Sequence, residues 1–425
     1  MLKKTLPLVV LPLLLNATTL PELFRAVKNH SQIKSDEMMI QKAQVAQEMV
    51  KAKFYPSINL FAKYDHYTTP SGMVPVPPNK LLPMVKDPSV AQPFSQNIMR
   101  EGINFTMPLF VKTLFTMSEK TKMMQKSAKA KKEIDILKNE AIIVGANANF
   151  LYLQALKKSL NIKEQSLKET EKTIKIKVDN GRAPASALYK INDGINQINI
   201  IKDSIALQKE KLLDTIRSIT GITLTKPIPM QEAKTLDTSH QIASLKPLLL
   251  KIKANQLELK AQKEQLYPTV GIYGSYVLSQ ADAYNNDKSD SEDYGNIGIA
   301  IKVPLFSQEQ YKKITQAKVA LKTDNVTYQK LQDELASKAK MLQNSLPLLD
   351  NSMKLLTRSI ENKEKLLKIA KVNYKSGRLA TEEYLRYEDD VVSAKAKLYK
   401  TQAQKWQTIM QLAVIYANNI EEMIQ

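Results

Sequence analysis

The chain alternates between long polar stretches with helical spacing and two short stretches of apolar and aromatic residues. In KFYPSINLFAKY, and again in QLYPTVGIYGSY, sequence rich in Lys, Gln and Glu gives way to β-branched and aromatic residues that alternate with polar ones. The change falls on a Tyr-Pro pair each time, first Tyr55-Pro56 and then Tyr267-Pro268. Proline lacks a backbone donor and disfavours helical geometry in the residue before it. Each pair therefore predicts the end of a helix and the start of a strand.

The Tyr-Pro pairs are part of an internal duplication. The segment MPLF at 107–110 returns as VPLF at 303–306, and NGR at 180–182 returns as SGR at 376–378. These two motifs recur at the same spacing, whereas the Tyr-Pro pairs lie farther apart because the first copy has a longer loop between its strands. A repeat of about 200 residues accounts for the spacing, and repeats decide an architecture before single motifs do.

Both copies predict the same order of elements, joined by a linker at 222–239. The first repeat is predicted at 18–221, with a helix, a β-hairpin at 56–110, a long helix at 111–178 and a returning helix at 185–220. The second is predicted at 240–425, with a helix, a β-hairpin at 268–306, a long helix at 307–374 and a returning helix at 380–416.

Each long helix would extend about 100 Å at 1.5 Å per residue. A helix of that length needs partners, and the two shorter helices of each repeat, placed end to end, match it. Apolar residues in the first long helix step by three and four, as in coiled coils. The seam consists of Ile134, Leu137, Ala141, Val144, Ala148, Leu151 and Ala155. Its narrowness predicts a thin helical wall whose polar flanks face water.

The four predicted strands alternate apolar and polar residues with a period of two. The apolar positions are Ile58, Leu60, Ala62 and Tyr64; Ile103, Phe105 and Met107; Val270, Ile272 and Tyr276; and Ile297, Ile299, Ile301 and Val303. This alternation suits a barrel wall with lipid on one face and water on the other. Half-buried strands of a soluble protein have the same pattern. Within the hairpins, the sequence predicts exposed loops at 70–94 and 282–293.

Four strands cannot close a membrane barrel, since single-chain barrels begin at eight. An open sheet edge within lipid is excluded by the cost of unpaired backbone groups. If the strands span a membrane, the chain must assemble with copies of itself, and cyclic symmetry is the usual solution. Tyrosines mark membrane interfaces, so we expect the strand starts Tyr55, Pro56, Tyr267 and Pro268 to lie there.

The first residues predict an export signal. Residues 1–17 combine a basic start, an apolar stretch too short for a bilayer span and a small residue, Ala17, at the expected cleavage position. The chain has 425 residues, no cysteine and a formal net charge of +20. Without cysteine it can form no disulfide and no thiolate metal site, and it has no N-terminal cysteine for lipid attachment.

The composition argues against catalysis and against nucleic-acid binding. The three histidines, His30, His66 and His240, belong to no catalytic triad, HExxH motif or metal cluster, and no phosphate-binding glycine loop is present. The lysines are spread along the long helices rather than gathered in one patch with aromatic residues. We therefore expect no enzymatic activity, no cofactor, no metal site and no nucleic-acid partner.

Together these motifs resemble the TolC-like outer-membrane efflux proteins. The resemblance rests on the signal, TLPELFRAVKNHSQI, the Tyr-Pro strand starts, the PLF strand ends, the long helices and the paired glycine turns. It implies a mostly α fold with a transmembrane β portion, in which duplicated coiled-coil helices form an α-barrel. Four strands from each copy of a homotrimer would form a 12-stranded β-barrel.

The resemblance also implies a location and partners. The protein would be a duct in the outer membrane, surrounded by lipid, with a long periplasmic extension. It would work with a periplasmic adaptor (membrane fusion) protein and an inner-membrane pump in tripartite efflux or type I secretion. The alternative is an exported periplasmic coiled-coil scaffold or adaptor without a membrane barrel.

In this family the functional residues lie mainly where the long helices turn back. The residues implied for adaptor docking are Gly181, Arg182, Ala183, Ser186, Gly377, Arg378, Leu379 and Thr381. Those implied for a periplasmic gate are Tyr374, Arg378 and Glu383.

The two arginines depart from the family pattern, in which a small apolar residue is commoner after the glycine. We hypothesise that Arg378 pairs with an acid in the closed state, because a ring of arginines would otherwise repel itself. The candidate acids are Glu383, Glu388, Asp389 and Asp390. The alternative is that both arginines are solvated residues that cap backbone carbonyls.

Overall fold

The computed structural model describes residues 18–238 and 241–424. The predicted signal at 1–17 and His240 lie outside the described residues. The helices and strands of the described chain are α1 (Leu20–Asn29), α2 (Ser31–Ala52), β1 (Ser57–Gly72), α3 (Pro78–Lys86), β2 (Phe94–Phe110), α4 (Lys112–Asp179), α5 (Ala185–Thr220), α6 (Lys246–Glu264), β3 (Thr269–Asp282), β4 (Ser289–Lys302), α7 (Gln308–Lys375), α8 (Thr381–Tyr416) and α9 (Ile420–Met423).

Two helices dominate the chain, as predicted. Helices α4 and α7 each have 68 residues, and each is followed by a helix of 36 residues, α5 or α8. No helix within 18–238 and 241–424 has both the length and the apolar composition needed to cross a bilayer.

The described chain divides into two compact units. One contains the β-strands and consists of Met39–Ala128 and Pro247–Tyr328; the helical unit consists of the residues up to Met38, Lys129–Lys246 and the residues from Gln329. Each unit takes residues from both predicted repeats, so packing does not follow the duplication. The repeat boundaries and the linker limits stay predictions.

The four strands form one antiparallel sheet in the order β1-β2-β3-β4. Their register places apolar side chains of all four strands on the same face: Leu60 lies opposite Ile103, which lies opposite Tyr276, and Ile272 lies opposite Ile299. We call this the apolar face. The other side, the polar face, carries Asn59, Lys63, Asp65, Arg100, Asn104, Ser275, Asn296 and Lys302. The alternation in the sequence is thus a property of the whole sheet.

Both hairpin loops differ from the prediction. The first contains the short helix α3, which begins at two consecutive prolines whose fixed φ suits a first helical turn. The second is short, because β4 begins at Ser289 and runs through the acidic residues. The acidic residues alternate along this exposed strand, where the sequence predicted a loop.

Helices α4 and α5 pack as a coiled coil in the helical unit. Leu160, Leu167 and Ile174 follow each other at intervals of seven residues on α4, and Ile191 and Ile198 do the same on α5. All are buried. Apolar residues that repeat every seven positions form a continuous seam along each helix, and the burial of this seam holds the two helices together.

The middle of α4 is buried on all sides, and the prediction of polar, wet flanks is wrong for 143–150. The predicted seam is present there, with Val144 and Ala148 buried, but Ile143, Asn147 and Phe150 on other faces are buried as well. Residues of α1, of α9 and of the segment after α5 belong to the same core. This part of the helix is therefore covered by several elements.

The predicted linker is packed against α4. The Asn147 amide donates to the Ile228 carbonyl at 2.7 Å, and the Ile228 N–H donates to the Asn147 side-chain oxygen at 2.8 Å. Farther along, Glu232 forms a β-bridge with Ile424, and the Ala233 N–H donates to the Met423 carbonyl at 2.9 Å. The chain between the repeats is thus held at Ile228 by the Asn147 side chain and at 232–233 by backbone pairing with Met423 and Ile424.

Candidate functional site

The two helical turns have the same backbone geometry. Gly181 and Gly377 have φ values of +68° and +73°, a left-handed conformation that glycine adopts without steric cost. The residue after each glycine, Arg182 or Arg378, donates its N–H to the carbonyl five residues earlier, at 2.7 and 2.9 Å. This bond pattern defines a Schellman cap, which satisfies the last carbonyls of a helix. The arginine backbones therefore end α4 and α7.

The two turns face a common groove of about 910 Å³. Its lining includes these residues of the predicted docking set: Arg182, Ala183, Ser186, Gly377, Leu379 and Thr381. Gly181 and Arg378 do not line the groove. Lys190 and Glu382 lie on its two sides and form an exposed ion pair at 3.2 Å.

A buried polar cluster joins α8 to α4 beside this groove. The rings of Tyr374 and Tyr384 stack with centroids 4.8 Å apart. The Tyr384 hydroxyl donates to Glu388 Oε1 at 2.6 Å, and the Ser166 hydroxyl of α4 donates to the same oxygen. Burial and the bond to Glu388 raise the pKa of Tyr384 to about 12. The phenol is therefore a donor at any physiological pH.

The cluster is buried but not saturated. Glu388 is 7% exposed, and its Oε2 has no hydrogen-bond partner within the described chain; the same holds for the Tyr374 hydroxyl. An unpaired buried oxygen costs roughly 1–3 kcal/mol. Next to it, Lys163 of α4 forms an ion pair with Asp389, and burial lowers the pKa of Lys163. An ion pair therefore lies next to buried oxygens that have no hydrogen-bond partner in the described chain.

The predicted gate residues are only partly brought together. Tyr374 is in the cluster, whereas Arg378 is exposed and Glu383 is half-buried, and neither has an ion pair within the described residues. The other candidate acids have different partners: Glu388 binds Tyr384, Asp389 binds Lys163 and Asp390 binds Lys363 at 3.1 Å. The Arg378 network and the solvated-turn alternative both stay predictions.

Sequence reasoning missed Tyr384 and Ser166, and it named Glu388 only as a candidate acid for Arg378. Tyr384, Glu388 and Val391 follow the i, i+4, i+7 spacing of one helical face, and all three are buried. A tyrosine and a glutamate at apolar positions of a seam were the available signal. With the glycines aligned, the first turn has Val178, Leu188 and Asn192 where the second has Tyr374, Tyr384 and Glu388. The cluster exists only at the second turn.

The strand starts are alike in both halves of the sheet. Tyr55 and Tyr267 each donate an N–H to the carbonyl three residues earlier, at 3.1 and 3.0 Å, as the final bond of the preceding helix. Both tyrosines are exposed. Pro56 and Pro268 follow, and the strands begin one residue later. The prediction that each pair converts a helix into a strand is confirmed.

The described residues contain no group of three or more His, Cys, Asp or Glu side chains arranged to hold a metal ion. No protein-family model matches the sequence, and no curated protein matches it. Solved structures do match. The CmeC outer membrane channel of Campylobacter jejuni has a TM-score of 0.77 at 15% identity, covering 93% of this chain and 84% of that chain.

Two further structures give the same result. The outer membrane protein VceC of Vibrio cholerae has a TM-score of 0.73 at 16% identity, covering 93% of this chain and 96% of that one. The open MtrE outer membrane channel of Neisseria gonorrhoeae has a TM-score of 0.68 at 13% identity, covering 93% of this chain and 88% of that one. The chain has the fold of these outer-membrane channels.

The outer-membrane channel fold confirms the predicted fold class of long duplicated helices with a four-stranded sheet. The matched structures of CmeC, CusC and MtrE are described as channels.

Proposed function

We propose that this protein is the outer-membrane duct of a tripartite efflux or type I secretion system. The observation that carries the proposal is the sheet. Its apolar face includes side chains as exposed as Leu60 (81%) and Ile297 (77%), and its edge strands β1 and β4 have no partner strand in the described chain. Apolar side chains on one face suit lipid, and unpaired edges cannot remain in lipid.

Three copies would remove the unpaired edges. If β4 of one copy pairs with β1 of the next, three sheets of four strands close a barrel of 12 strands with its polar face inward. A head-to-tail contact of this kind forms a ring when the rotation closes. The polar face, with Lys63, Arg100 and Lys302, would then line an aqueous lumen.

The helices support the same assembly. On α7, Met341, Leu348 and Leu355 are exposed at intervals of seven residues, and on α5, Ile200 and Leu207 are exposed at the same interval. Such spacing marks a coiled-coil seam that lacks its partner. The seam on α5 of one copy would pack on the seam of α7 in the next, so that the helices surround a continuous periplasmic duct.

The groove at the helical turns would receive the periplasmic adaptor. The turns expose Arg182 and Ser186 on one side and Leu379 and Thr381 on the other, with the ion pair between Lys190 and Glu382 across it. A groove of this size with mixed apolar and charged walls suits the tip of a partner protein. The inner-membrane pump would act through that adaptor.

Cell fractionation and conductance test the proposal. We expect the protein in the outer-membrane fraction, as a trimer that resists detergent until it is heated, and we expect ion-conducting pores when it is added to a planar bilayer. Recovery in the soluble periplasmic extract, with no pores formed, would instead indicate the scaffold. Changes in the susceptibility of a deletion strain to toxic compounds would identify the class of cargo.

A further inference from the structure

We propose that the loop between β1 and β2, residues 73–93, folds across the outer end of the duct, where α3 contacts the same helix in the other two copies. This inference rests on the proposed trimeric channel, because it needs a lumen and an axis. The loop emerges at the sheet end farther from the Tyr-Pro pairs. Hydrogen bonds at its two ends, which we call the first and second anchors, decide the side of the sheet on which the loop lies.

The first anchor is Met73, immediately after β1. Met73 is 1% exposed; its N–H donates to the Pro93 carbonyl at 2.9 Å, and its carbonyl accepts from the Ser279 hydroxyl at 2.8 Å. Ser279 lies opposite Arg100, on the polar face. The chain leaving β1 therefore turns toward the polar face and away from the apolar one.

Arg100 strengthens this anchor from the same face. Its guanidinium donates to Asp65 Oδ2 at 2.6 Å, to the Tyr67 hydroxyl at 2.9 Å and to the Gly72 carbonyl at 2.9 Å. Hydrogen bonds to a charged group are roughly twice as strong as neutral ones. The last residues of β1 are thus held against the polar face before the loop begins.

The burial of apolar side chains on the polar face also indicates that the loop lies on this side of the sheet. Ile98 and Val277 lie on this face, two residues from Arg100 and Ser279 along their strands, and are 0% and 6% exposed. Most apolar side chains of the opposite face are exposed, including Ile103 and Ile299. The segment that begins at Met73 is in place to cover these two side chains, because its carbonyl is bonded to Ser279 beside them.

The second anchor joins the end of the loop to the turn between β3 and β4. The Asn285 amide donates to the Val90 carbonyl at 2.9 Å, and the Gln92 N–H donates to the Asn285 side-chain oxygen at 3.0 Å. Lys288 Nζ donates to the Ser89 carbonyl at 2.8 Å. The loop is therefore fixed to both hairpins and cannot swing away without breaking these bonds.

Helix α3 spans the gap between the anchors and has an uncovered apolar side. Leu82 and Val85 are one helical turn apart, so they share a face, and they are 62% and 57% exposed. Within the described chain, no side chain of Pro78–Lys86 makes a hydrogen bond or ion pair. Leu81 and Met84 on its other side are half-buried, so the helix packs on its own copy with that side and leaves Leu82 and Val85 uncovered.

A second copy of this helix is the partner that fits. The loop turns away from the apolar face, so lipid is on the wrong side of the sheet for Leu82 and Val85. Ile98 and Val277, the apolar side chains of the polar face nearest the loop, are already buried, and Leu82 and Val85 remain exposed beside them. Three copies around one axis bring three identical helices together over the lumen. The contact would narrow the outer opening.

The absence of cysteine from the chain makes the contact directly testable. Purified full-length Leu82→Cys is oxidised in detergent and run on a non-reducing gel; we expect a disulfide-linked dimer that reductant removes. Leu60→Cys, also exposed but on the apolar face, is the matched control and should remain unlinked. Replacing residues 78–86 by a Gly-Ser segment of the same length should raise single-channel conductance about twofold or more.

The outcomes separate this inference from the proposed function. Stable trimers that conduct, but give neither the Leu82→Cys dimer nor a higher conductance in the loop variant, would overturn the inference and leave the channel intact. Labelling of Leu82→Cys that is blocked by added lipid, without dimer formation, would place α3 at the membrane and also overturn it. A wild-type chain that forms no trimers and no pores would overturn both.

Discussion

Glu140 shows how a single residue can make the helical unit sensitive to pH. It lies on α4, is 2% exposed and lines a cavity of about 460 Å³ with Lys28 of α1 and Glu421 of α9. Burial, assisted by the charge of Glu421 and opposed by Lys28, raises the pKa of Glu140 to about 7. Lys28 and Glu421 themselves form an ion pair at 2.6 Å. The carboxyl is therefore half-ionised near neutral pH.

The Glu140→Gln variant should be more stable than the wild type at pH 8 and similar to it at pH 5. The unfolded carboxyl ionises near pH 4.5, so the folded protein loses stability as the pH rises from there to about 7. The full loss is on the order of 3 kcal/mol, which the neutral amide avoids. Thermal unfolding at both pH values measures it. Glu133→Gln, an exposed position at the same cavity, is the control; an equal effect of both variants would exclude burial as the cause.

The Tyr384→Phe variant should loosen the second helical turn. It removes the donor to Glu388 Oε1 without changing the ring that stacks on Tyr374, and a lost bond to a charged group costs about 1.5–3 kcal/mol. We expect faster hydrogen exchange of residues 376–380. The control is Tyr387→Phe, on the same helix, whose hydroxyl has no hydrogen bond in the described chain. Unchanged exchange in Tyr384→Phe would show that the cluster does not hold the turn.

At the scale of elements, the Asn147 side chain fixes the middle of the segment after α5. The Asn147→Ala variant removes both hydrogen bonds to Ile228 and leaves the N–H and carbonyl of this half-buried residue without their partner, at a cost of up to about 1–3 kcal/mol each. We expect faster protease cleavage within 222–236 while α4 keeps its helical signal. Asn149→Ala is the control, because the Asn149 amide bonds only the Gly145 carbonyl of its own helix. Equal cleavage in the two variants would contradict this role.

The elements that could be predicted from the sequence are those fixed by local backbone chemistry. Prolines at 56 and 268 fix φ, and glycines at 181 and 377 permit the left-handed φ of a helix cap, so the helix ends followed from neighbouring residues. The helix α3 and the all-round burial of 143–150 did not follow. The burial of 143–150 depends on segments distant in sequence, such as the contact between Asn147 and Ile228, whereas α3 begins at local prolines that were interpreted as part of a loop.

The candidate site divides in the same way. The groove between the turns contains most of the residues that the resemblance implied, because glycine-based turns are recognisable from sequence. The buried cluster was missed because its members come from α4 and α8, and Ser166 lies 222 positions from Glu388. A polar group on a seam becomes recognisable as a contact only when the partner helix is placed beside it.

At the scale of the whole molecule, the exposed seam on α7 should control assembly. The Leu348→Asp variant would place a charge in the proposed contact with α5 of the next copy, where no partner compensates its desolvation. We expect mostly monomer at a protein concentration at which the wild type is a trimer, measured by analytical ultracentrifugation in detergent. The control is Thr357→Asp, an exposed polar position on the opposite face of α7. A stable Leu348→Asp trimer would place the interface elsewhere.

Because the polar cluster is present at only one of the two turns, it would change the symmetry of the ring of turns that three copies form. Three copies would present six helical turns in a ring, and identical turns would offer a partner six equivalent orientations. Because Tyr374, Tyr384 and Glu388 are replaced by Val178, Leu188 and Asn192 in the other turn, the ring has two alternating kinds of position. A docking protein would therefore meet threefold rather than sixfold symmetry. Two adaptor molecules bound to one copy would then differ in affinity.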